Sequence, residues 1–421
     1  MKYFGTDGIR GVIDKDLSPT LIKKVANGLI RYYKSHNLKR ILLVGNDSRA
    51  SSDYILSVLA TKLLRHGFEI HNLHICSSPC LAYTAKKYNY PLGLMISASH
   101  NPSEYNGLKF FNNHGEKVSD EFEEELETLM DMTAICESKS YSCIKNVEIL
   151  KTDYISYLKK MKRFNFPCIL DCANGGTADI CNQIFPRLEK INTRPNGYNI
   201  NKNAGCTHIE ILRNMCIKKH TLGFAFDGDG DRIHVVSETG DIITGDKILY
   251  ILSKFFQRNG DSLVGTIYTN TGLERSLRQR DISLLRADVG DKKVSKLMRD
   301  TDSMLGGEDS GHIILAHHAN TGDGVLIMII LCNILTLSKQ SFAKLLQDYS
   351  EDYQGRRNIH IDNDLHLDED TKMLIKTYEN EGAKIIIRPS GTEPVWRLFV
   401  EHKDKNVAEK ILDNLVQILT R

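Results

Sequence analysis

The segment Leu94-Met-Ile-Ser-Ala-Ser-His-Asn-Pro102 contains the most informative turn of this sequence. The apolar run from Gly93 to Ile96 is typical of a buried strand, and it ends in small polar residues and an Asn-Pro turn. This arrangement predicts that the hydroxyl of Ser99 projects from a rigid element where the backbone bends. Because serine is a weak nucleophile at its free pKa, Ser99 would need a metal, a base or positive charge beside it to react.

Short apolar runs alternate with helical patterns along the whole chain, which predicts α/β layers. The predicted strands are Arg40–Val44, Glu69–Ile75, Gly93–Ile96, Leu108–Phe111, Cys168–Asp171, Gly223–Phe226, Leu263–Tyr268, Ser283–Ala287, Lys384–Ile387 and Arg397–Glu401. The predicted helices are Thr20–Lys34, Tyr54–His66, Cys80–Tyr88, Asp120–Asp131, Lys151–Arg163, Asp246–Gln257 and Asn406–Leu419. The polar stretch Glu137–Glu148 is interpreted as a domain boundary. We therefore expect three similar α/β domains (1–147, 148–243 and 244–350) and a smaller C-terminal α+β domain (351–421).

The composition excludes several classes of protein. The 421 residues carry 55 basic and 53 acidic side chains, a net charge of +2, so no broad field attracts nucleic acid or an anionic membrane. The ten cysteines lack a metal-type spacing and fit reduced thiols of a cytoplasmic protein. The N-terminus lacks the apolar region of a signal peptide. The apolar run Val325–Leu337 is too short to span a bilayer and predicts a buried helix.

The segment Phe226-Asp-Gly-Asp-Gly-Asp-Arg232 places Asp227, Asp229 and Asp231 at alternate positions. The glycines between them allow a tight fold in which three carboxylates converge on one hard cation, and magnesium is the natural occupant beside a phosphate. A calcium-binding EF-hand loop is the alternative, with Glu238 at its twelfth position. That loop requires a glycine where Arg232 stands and helices on both sides, whereas these flanks predict strands.

Three further segments carry polar side chains suited to a phosphosugar. Arg388-Pro-Ser-Gly-Thr-Glu-Pro394 combines an arginine fork, two hydroxyls and a glycine that lets backbone amides approach an anion. Gly306-Gly-Glu-Asp-Ser-Gly-His312 could bind sugar hydroxyls, although a helix-capping turn is an equal alternative. Arg10 lies in the glycine-framed segment 4–11, where it could contact a phosphoryl group, and Lys109 follows the serine turn. The sequence contains no Walker A motif, so nothing in it indicates that ATP is the phosphoryl donor.

Taken together, these motifs resemble the α-D-phosphohexomutase superfamily, and within it the bacterial branch that acts on glucosamine phosphates. The resemblance runs in order through Phe4–Gly11, Ile96–Pro102, Asp171–Gly176, Asp227–Arg232, Val289–Asp291, Gly306–His312, Thr321–Gly324 and Arg388–Pro394. It implies four domains around a central cleft. It also implies one magnesium ion per chain, held by Asp227, Asp229, Asp231 and a phosphorylated Ser99.

The resemblance implies roles for the remaining candidate residues. Arg388, Ser390, Gly391 and Thr392 would bind the non-reacting phosphate, and Glu308, Ser310 and His312 would lie at the sugar. Arg10, His100 and Lys109 would support phosphoryl and proton transfer, with Arg232 at the substrate side of the metal loop. The implied reaction interconverts glucosamine 6-phosphate and glucosamine 1-phosphate through a sugar 1,6-bisphosphate, which also activates the enzyme. It would supply cell-wall precursor synthesis in a cytoplasmic monomer or homodimer.

Some residues depart from the pattern of that branch. Asp309 stands where glutamine is common, and Lys292-Lys293 replace the usual Arg-Tyr pair. A phosphomannomutase/phosphoglucomutase with the same mechanism is therefore the first alternative. A metal-dependent phosphatase and a calcium-binding module without catalysis are the others. We hypothesise that Asp309 helps to hold a protonated sugar amine.

Overall fold

The computed structural model describes residues 2–132, 140–360, 367–389 and 395–420. In this part of the chain the strands form four sheets that follow one another along the sequence. The first three combine parallel strands with an antiparallel hairpin and are covered by helices, whereas the fourth is wholly antiparallel. The expected α/β fold, with a different and smaller terminal unit, is confirmed.

The first sheet has six strands in the order β1-β5-β4-β2-β3-β6. Its elements are β1 (Ile9–Val12), α1 (Pro19–Ser35), β2 (Ile41–Asn46), α2 (Ser51–Leu63), β3 (Glu69–Ile75), α3 (Ser78–Lys87), β4 (Leu92–Ile96), β5 (Tyr105–Asn112), α4 (Asp120–Asp131) and β6 (Ile144–Asn146). Strand β4 runs parallel to β2 and antiparallel to β5, and β5 is in turn antiparallel to β1.

Two predictions for this region need correction, and the predicted domain boundary remains a prediction. Arg10 lies within strand β1, opposite Gly107 of β5, and not in a loop. Helix α2 begins at Ser51 because polar residues precede its first apolar one, so the apolar pattern detected its start three residues late. The predicted boundary 137–148 contains β6, which pairs in parallel with β3 at the edge of the sheet. Of that stretch, residues 137–139 lie outside the described residues.

The second sheet has the order β11-β10-β9-β7-β8. A 3-10 turn, Glu148–Leu150, precedes it. Its elements are α5 (Lys151–Met161), β7 (Cys168–Asp171), α6 (Ala178–Ile184), β8 (Glu189–Ile191), α7 (Glu210–Lys219), β9 (Leu222–Phe226), β10 (Ile233–Val236) and β11 (Ile242–Ile243). Strands β9 and β10 form an antiparallel hairpin around the aspartate-rich segment. An EF-hand is excluded, because strands flank the segment where that motif requires helices.

The third sheet has the order β13-β12-β14-β15. Its elements are α8 (Gly245–Phe256), β12 (Ser262–Thr266), α9 (Thr271–Arg278), β13 (Ser283–Ala287), α10 (Asp291–Asp300), β14 (Leu305–Gly307), β15 (Ile313–Leu315), α11 (Gly324–Ser338) and α12 (Phe342–Leu345). Helix α11 is buried for most of its length, as its apolar run predicted, and it packs against α5, β9 and β10 of the preceding sheet.

The fourth sheet has the order β16-β18-β17. Its elements are β16 (Tyr353–Ile359), α13 (Glu369–Asn380), β17 (Lys384–Pro389), β18 (Trp396–His402) and α14 (Lys405–Leu419). Its apolar cluster consists only of its own residues, such as Leu398, Val400 and Leu412. The first three sheets instead contribute to one common cluster, which contains Leu81, Phe226 and Leu305.

One arrangement recurs in the first three sheets. The serine turn connects β4 to β5, the aspartate-rich turn connects β9 to β10, and residues 308–312 connect β14 to β15. Each turn therefore leaves a central strand at its carboxyl end, the edge where open α/β sheets bind ligands. Among the described residues, no helix combines the length and apolar character needed to cross a membrane.

Candidate active site

The serine turn holds Ser99 in a left-handed backbone conformation, with φ of 52°. That conformation costs about 1 kcal/mol or more for a residue with a Cβ, so the surrounding structure must maintain it. The amide of Ser99 donates to Oγ of Ser97 at 2.9 Å, and the Ser97 hydroxyl donates to Oδ2 of Asp47 at 2.6 Å. The bend therefore presents the hydroxyl of Ser99 away from its own sheet, as the sequence predicted.

Two buried side chains hold the backbone of this turn. The guanidinium of Arg49 is paired with Asp47 and donates to the carbonyl oxygens of Ser99 and Asn101 at 3.0 and 2.7 Å. From the second sheet's side, Nδ2 of Asn201 donates to the same two carbonyls at 2.8 and 3.0 Å. The turn is thus fixed by charge-assisted and neutral hydrogen bonds from two directions.

The aspartate-rich turn comes into direct contact with the serine. The Ser99 hydroxyl donates to Oδ2 of Asp227 at 2.6 Å, and both side chains are buried. A Cβ on Gly228 would stand 2.6 Å from the carbonyl oxygen of Ser99, and one on Gly175 would stand 2.1 Å from that of Gly228. The glycines therefore permit an approach of backbone to backbone that no other residue would allow.

The three carboxylates of this turn have different electrostatic surroundings. Burial and the neighbouring carboxylates of Asp231 and Asp229 raise the pKa of Asp227 well above its ordinary value. Burial opposes ionisation of Asp229 as well, but the ammonium of Lys109 at 2.7 Å and the hydroxyl of Ser78 at 2.6 Å hold its pKa below the ordinary value. Repulsion among buried carboxylates is the condition that a bound cation relieves.

The oxygen atoms of this turn fit a hard cation. Carboxylate oxygens of Asp227, Asp229 and Asp231 lie within 4.8 Å of one another. The Oδ1 atoms of Asp229 and Asp231 are buried without a hydrogen-bond partner, which is costly unless a ligand satisfies them. The set consists only of oxygen donors, which suits magnesium or calcium better than a thiophilic metal.

Basic side chains surround the serine and the carboxylates. Lys109, on β5, is 1 % exposed and lies 3.0 Å from Asp7 as well as 2.7 Å from Asp229. Arg10, which lies on strand β1, forms an ion pair with Asp7. Burial, followed by the positive charges of Arg232 and Arg10, lowers the pKa of His100 to about 3, so His100 is a neutral imidazole near pH 7.

Residues 308–312 bring the third sheet to the same place. The backbones of Arg232 and His312 pair in an isolated antiparallel bridge, and Nε2 of His312 lies 4.0 Å from Asp231 and 3.3 Å from Asp291. Oε1 of Glu308 accepts from the amide of Gly290 at 3.0 Å, and Ser310 donates to its Oε2 at 3.3 Å. These polar groups therefore lie beside the aspartate-rich turn.

The structure describes only part of the predicted phosphate-binding segment Arg388–Pro394. Arg388, at the end of β17, donates from Nε to the hydroxyl of Tyr268 in the third sheet's domain at 2.7 Å. The predicted phosphate ligands Ser390, Gly391 and Thr392 lie outside the described residues. Asp309, in the turn between β14 and β15, packs beside the first residues of α8, where its Oδ1 accepts from the amide of Asp246 at 3.4 Å.

Sequence reasoning missed several polar residues of the site. Lys117 lies 2.6 Å from Asp7 and 3.9 Å from Asp231, and it also pairs with Asp291 across two sheets. Asp7 is half-buried, and desolvation opposes its ionisation, but Lys109, Lys117 and Arg10 together hold its pKa well below the ordinary value. Ser78 and Arg49 were missed as well. Lys117 and Asp7 lie near segments that the motifs identified, but only the pairing of β1 with β5 brings these segments together.

The chain matches family models of phosphoglucomutase/phosphomannomutase over residues 1–134 (alpha/beta/alpha domain I), 244–353 (alpha/beta/alpha domain III) and 351–418 (C-terminal domain). A phosphoglucosamine mutase of Dictyoglomus thermophilum is 37% identical, over 100% of this chain and 97% of its own length. A family protein of Burkholderia thailandensis shares the fold, with a TM-score of 0.79, 20% identity and coverage of 99% and 96%. Aspergillus fumigatus N-acetylphosphoglucosamine mutase, solved with GlcNAc-6P and magnesium, has a TM-score of 0.68, 14% identity and coverage of 99% and 95%.

Proposed function

The chain belongs to the phosphoglucomutase/phosphomannomutase family and is a phosphosugar mutase, and we propose that it interconverts glucosamine 6-phosphate and glucosamine 1-phosphate. The observation that carries this proposal is the 2.6 Å hydrogen bond from Ser99 to Asp227, which joins the turns of two sheets at a cluster of buried carboxylates. The similarity to a phosphoglucosamine mutase at 37% identity supports glucosamine as the sugar.

We propose that Ser99 carries the phosphoryl group between the two halves of the reaction. In the first half, the bond between Ser99 Oγ and phosphorus breaks while the C1 hydroxyl oxygen of glucosamine 6-phosphate bonds to the same phosphorus, and the proton of that hydroxyl ends on the Ser99 oxygen. In the second half, after the 1,6-bisphosphate has reoriented, Ser99 Oγ bonds to the phosphorus on C6 while the bond from that phosphorus to the C6 oxygen breaks. The Ser99 proton ends on the C6 oxygen, and glucosamine 1-phosphate leaves. Asp227 orients the Ser99 oxygen for this exchange, because the hydroxyl already donates to its carboxylate.

Magnesium fits the carboxylates of Asp227, Asp229 and Asp231 together with an oxygen on Ser99, and it would supply positive charge to the transferred phosphoryl oxygens. Lys109, with Asp7 and Asp229 as partners, keeps a fixed ammonium beside the same position. Arg10 and Arg232 complete the positive surroundings, and the neutral His100 adds no charge of its own. Arg388 and residues 390–392 are assigned to the phosphate that does not react, and Glu308, Ser310 and His312 to the sugar.

Several further assignments remain part of this proposal. They are the domain boundaries at 147, 243 and 350, one magnesium ion per chain, and activation by a sugar 1,6-bisphosphate. A cytoplasmic location, supply of cell-wall precursors and a monomeric or homodimeric state are the others. Each described sheet falls inside one of the four proposed domains, which supports those boundaries.

Mass spectrometry of the purified chain tests the central step. After incubation with glucose 1,6-bisphosphate and magnesium, a phosphate-sized addition should map to Ser99. Ser99→Ala should lose this addition and at least about a thousandfold in turnover. Ser103→Ala, in the same turn, is the matched control and should retain both. Undiminished isomerisation by Ser99→Ala would overturn the proposal, and stoichiometric release of inorganic phosphate would favour a phosphatase.

The sugar is tested by rates on glucosamine, glucose and mannose 6-phosphates. We expect the highest kcat/KM for glucosamine 6-phosphate, and a preference for mannose or glucose 6-phosphate would favour the alternative activity. If Asp309 helps to hold the sugar amine, Asp309→Gln should weaken glucosamine 6-phosphate turnover more than glucose 6-phosphate turnover. Equal effects would refute that role.

A further inference from the structure

We propose that Tyr268 is the positioning residue for Arg388, and that it holds the guanidinium ready for the phosphate of the substrate. This inference rests on the proposed function, which assigns Arg388 to that phosphate. Tyr268 belongs to none of the motifs found in the sequence, and it is half-buried in the segment between β12 and α9.

The sheet topology brings Tyr268 to the edge of the third sheet where residues 308–312, the proposed sugar loop, begin. Strands β12 and β14 are parallel, with Leu263 opposite Leu305 and Val264 opposite Gly306. Chain segments that leave two neighbouring parallel strands emerge at one edge of the sheet. Tyr268 follows β12 as Glu308 follows β14, so the position of Arg388 is tied to the same edge that carries the sugar loop.

Two contacts from Tyr268 restrain the guanidinium of Arg388. Nε of Arg388 donates to the Tyr268 hydroxyl at 2.7 Å. The guanidinium carbon also lies 5.1 Å from the centroid of the tyrosine ring, within the range of a cation–π interaction. A planar group that is held at one nitrogen and against one face has a single remaining fork, formed by its two terminal nitrogens, to offer to an anion.

Tyr268 is itself held by residues of the C-terminal domain. The ring of Phe399 meets the tyrosine ring edge-on, with centroids 5.0 Å apart and planes at 64°. Nε2 of Gln354 donates to the Tyr268 carbonyl oxygen at 3.0 Å. The guanidinium of Arg356 approaches the same ring at 5.5 Å. The tyrosine is therefore a fixed support, since its ring and backbone are both engaged.

Such a support matters because an arginine side chain has many rotamers when it is unsupported. Binding a phosphate with a mobile arginine would restrict those rotamers at the moment of binding and weaken the affinity. In the proposed reaction Arg388 must bind a phosphate group twice, first the 6-phosphate and then the 1-phosphate of the reoriented bisphosphate. A preset guanidinium would serve both orientations equally, because it recognises only the phosphate group.

Tyr268→Phe and Tyr268→Leu in the full chain test this inference. The first variant removes the hydroxyl but keeps the ring, and the second removes both. We expect KM and the Kd measured by calorimetry for glucosamine 6-phosphate to rise about fivefold in Tyr268→Phe and about twentyfold in Tyr268→Leu, with kcat changed less than twofold. Tyr353→Phe is the matched control, because its hydroxyl bonds to Glu409 within the C-terminal domain. It should leave Kd unchanged.

The decisive arm repeats Tyr268→Phe in an Arg388→Ala background, where it should have no further effect on Kd. An equal loss in both backgrounds would overturn the inference, as would a fall in kcat at constant Kd. The Kd arm is independent of turnover. Wild-type chain that binds glucosamine 6-phosphate but does not isomerise it would refute the proposed function and leave the role of Tyr268 to be decided by Kd. Wild-type chain that binds no sugar phosphate would refute the role of Tyr268.

Discussion

The serine–aspartate centre (Ser99, Asp227, Asp229 and Asp231) and the C-terminal unit (residues 351–420) are attached to the molecule in different ways. The centre lies on turns that leave sheets with a common apolar cluster, and it is crossed by buried hydrogen bonds such as those of Arg49 and Asn201. The C-terminal unit has a cluster of its own, and side chains such as Tyr268 and Arg275 connect it to the third sheet.

This difference matches the two requirements of the proposed reaction, which are phosphoryl transfer and reorientation of the bisphosphate. Phosphoryl transfer needs the serine, the cation site and the basic groups in constant geometry, because errors of about 1 Å can cost about a hundredfold in rate. Reorientation of a bisphosphate instead needs one wall of the cleft to yield. A unit with its own core can change its position without exposing the core of the other three sheets.

The largest difference in stability between the two regions is expected when an arginine is replaced in each. Arg49→Met leaves Asp47 buried without its charged partner, and it releases the carbonyls of the serine turn, so we expect a loss of about 3–5 kcal/mol in unfolding free energy. The matched change Arg275→Met removes a pair with Asp352 at the junction with the C-terminal unit. Because Arg275 is 30% exposed, that loss should be about 1 kcal/mol or less.

Urea unfolding of the two arginine variants, with phosphorylation of Ser99 by glucose 1,6-bisphosphate as a second readout, checks this prediction. Arg49→Met should lose phosphorylation, whereas Arg275→Met should retain it. Similar losses of stability in the two variants would mean that the junction with the C-terminal unit contributes as much to stability as the serine–aspartate centre.

The next largest effect is expected from filling a close approach between two backbones. A methyl group in Gly175→Ala would stand 2.1 Å from the carbonyl oxygen of Gly228, and neither group can rotate away. We expect a loss of about 3 kcal/mol, together with most of the activity. In Gly355→Ala the methyl group would instead meet side chains of the C-terminal unit, Leu412 at 2.3 Å and Tyr353 at 3.4 Å.

Gly355→Ala should therefore destabilise the C-terminal unit while Ser99 is still phosphorylated by the bisphosphate. Limited proteolysis followed by mass spectrometry locates the damage. Early cleavage confined to residues 351–420 is expected for Gly355→Ala, and cleavage throughout the chain for Gly175→Ala. The reverse pattern would contradict the assignment of separate cores.

Two aspartates that cap helices should respond to pH in opposite directions. Burial raises the pKa of Asp323, at the start of α11, to about 6, where it accepts from Tyr154 at 2.8 Å. The folded chain then binds more protons than the unfolded one between about pH 4 and 6, so this stabilisation is present below pH 4 and lost as pH rises through 6. Asp368, at the start of α13, is exposed, and hydrogen bonds from Thr371 lower its pKa. Its contribution is present at neutral pH and lost as pH falls.

Thermal unfolding between about pH 2 and 7 checks the signs, because the contribution of Asp368 changes below about pH 4 and that of Asp323 changes above it. Asp323→Asn keeps a capping oxygen but cannot ionise, so stability relative to wild type should improve with rising pH by up to about 2 to 3 kcal/mol. Asp368→Asn should instead lose stability relative to wild type as pH rises. A flat difference for Asp323→Asn would mean that this carboxyl is not held in the protonated form.

The sequence predicted the fold class and the chemistry of the turns because these depend on local patterns. Alternation of apolar runs located most strands, and glycines between aspartates predicted a tight anionic turn. Short strands such as β1 and β14 escaped detection, because three or four residues carry too little periodicity. Arg10 was therefore placed in a loop, although β1 positions it opposite Gly107.

The partners of the site residues could not be predicted in the same way. Asp7, Lys117 and Asp291 come from segments far apart in the chain, and their pairing depends on how the first and third sheets meet. Asn201 and Ser78 hold the site through contacts that no spacing in the sequence encodes. Tyr268 gave no signal at all, since a tyrosine after an apolar strand is ordinary.

The smallest expected effect concerns movement of the C-terminal unit. Glu274 on α9 and Lys384 on β17 lie close enough to interact electrostatically across the junction. A variant with Glu274→Cys and Lys384→Cys, in a background with Cys136→Ser and Cys143→Ser, can be bridged by a short bifunctional thiol reagent. If the bisphosphate must turn while this unit yields, the bridge should lower kcat about tenfold, equivalent to about 1.4 kcal/mol. Phosphorylation of Ser99 should persist, because the serine–aspartate centre lies on the other sheets. Single-cysteine variants treated with the same reagent control for modification alone, and unchanged turnover in the bridged chain would show that reorientation needs no movement at this junction.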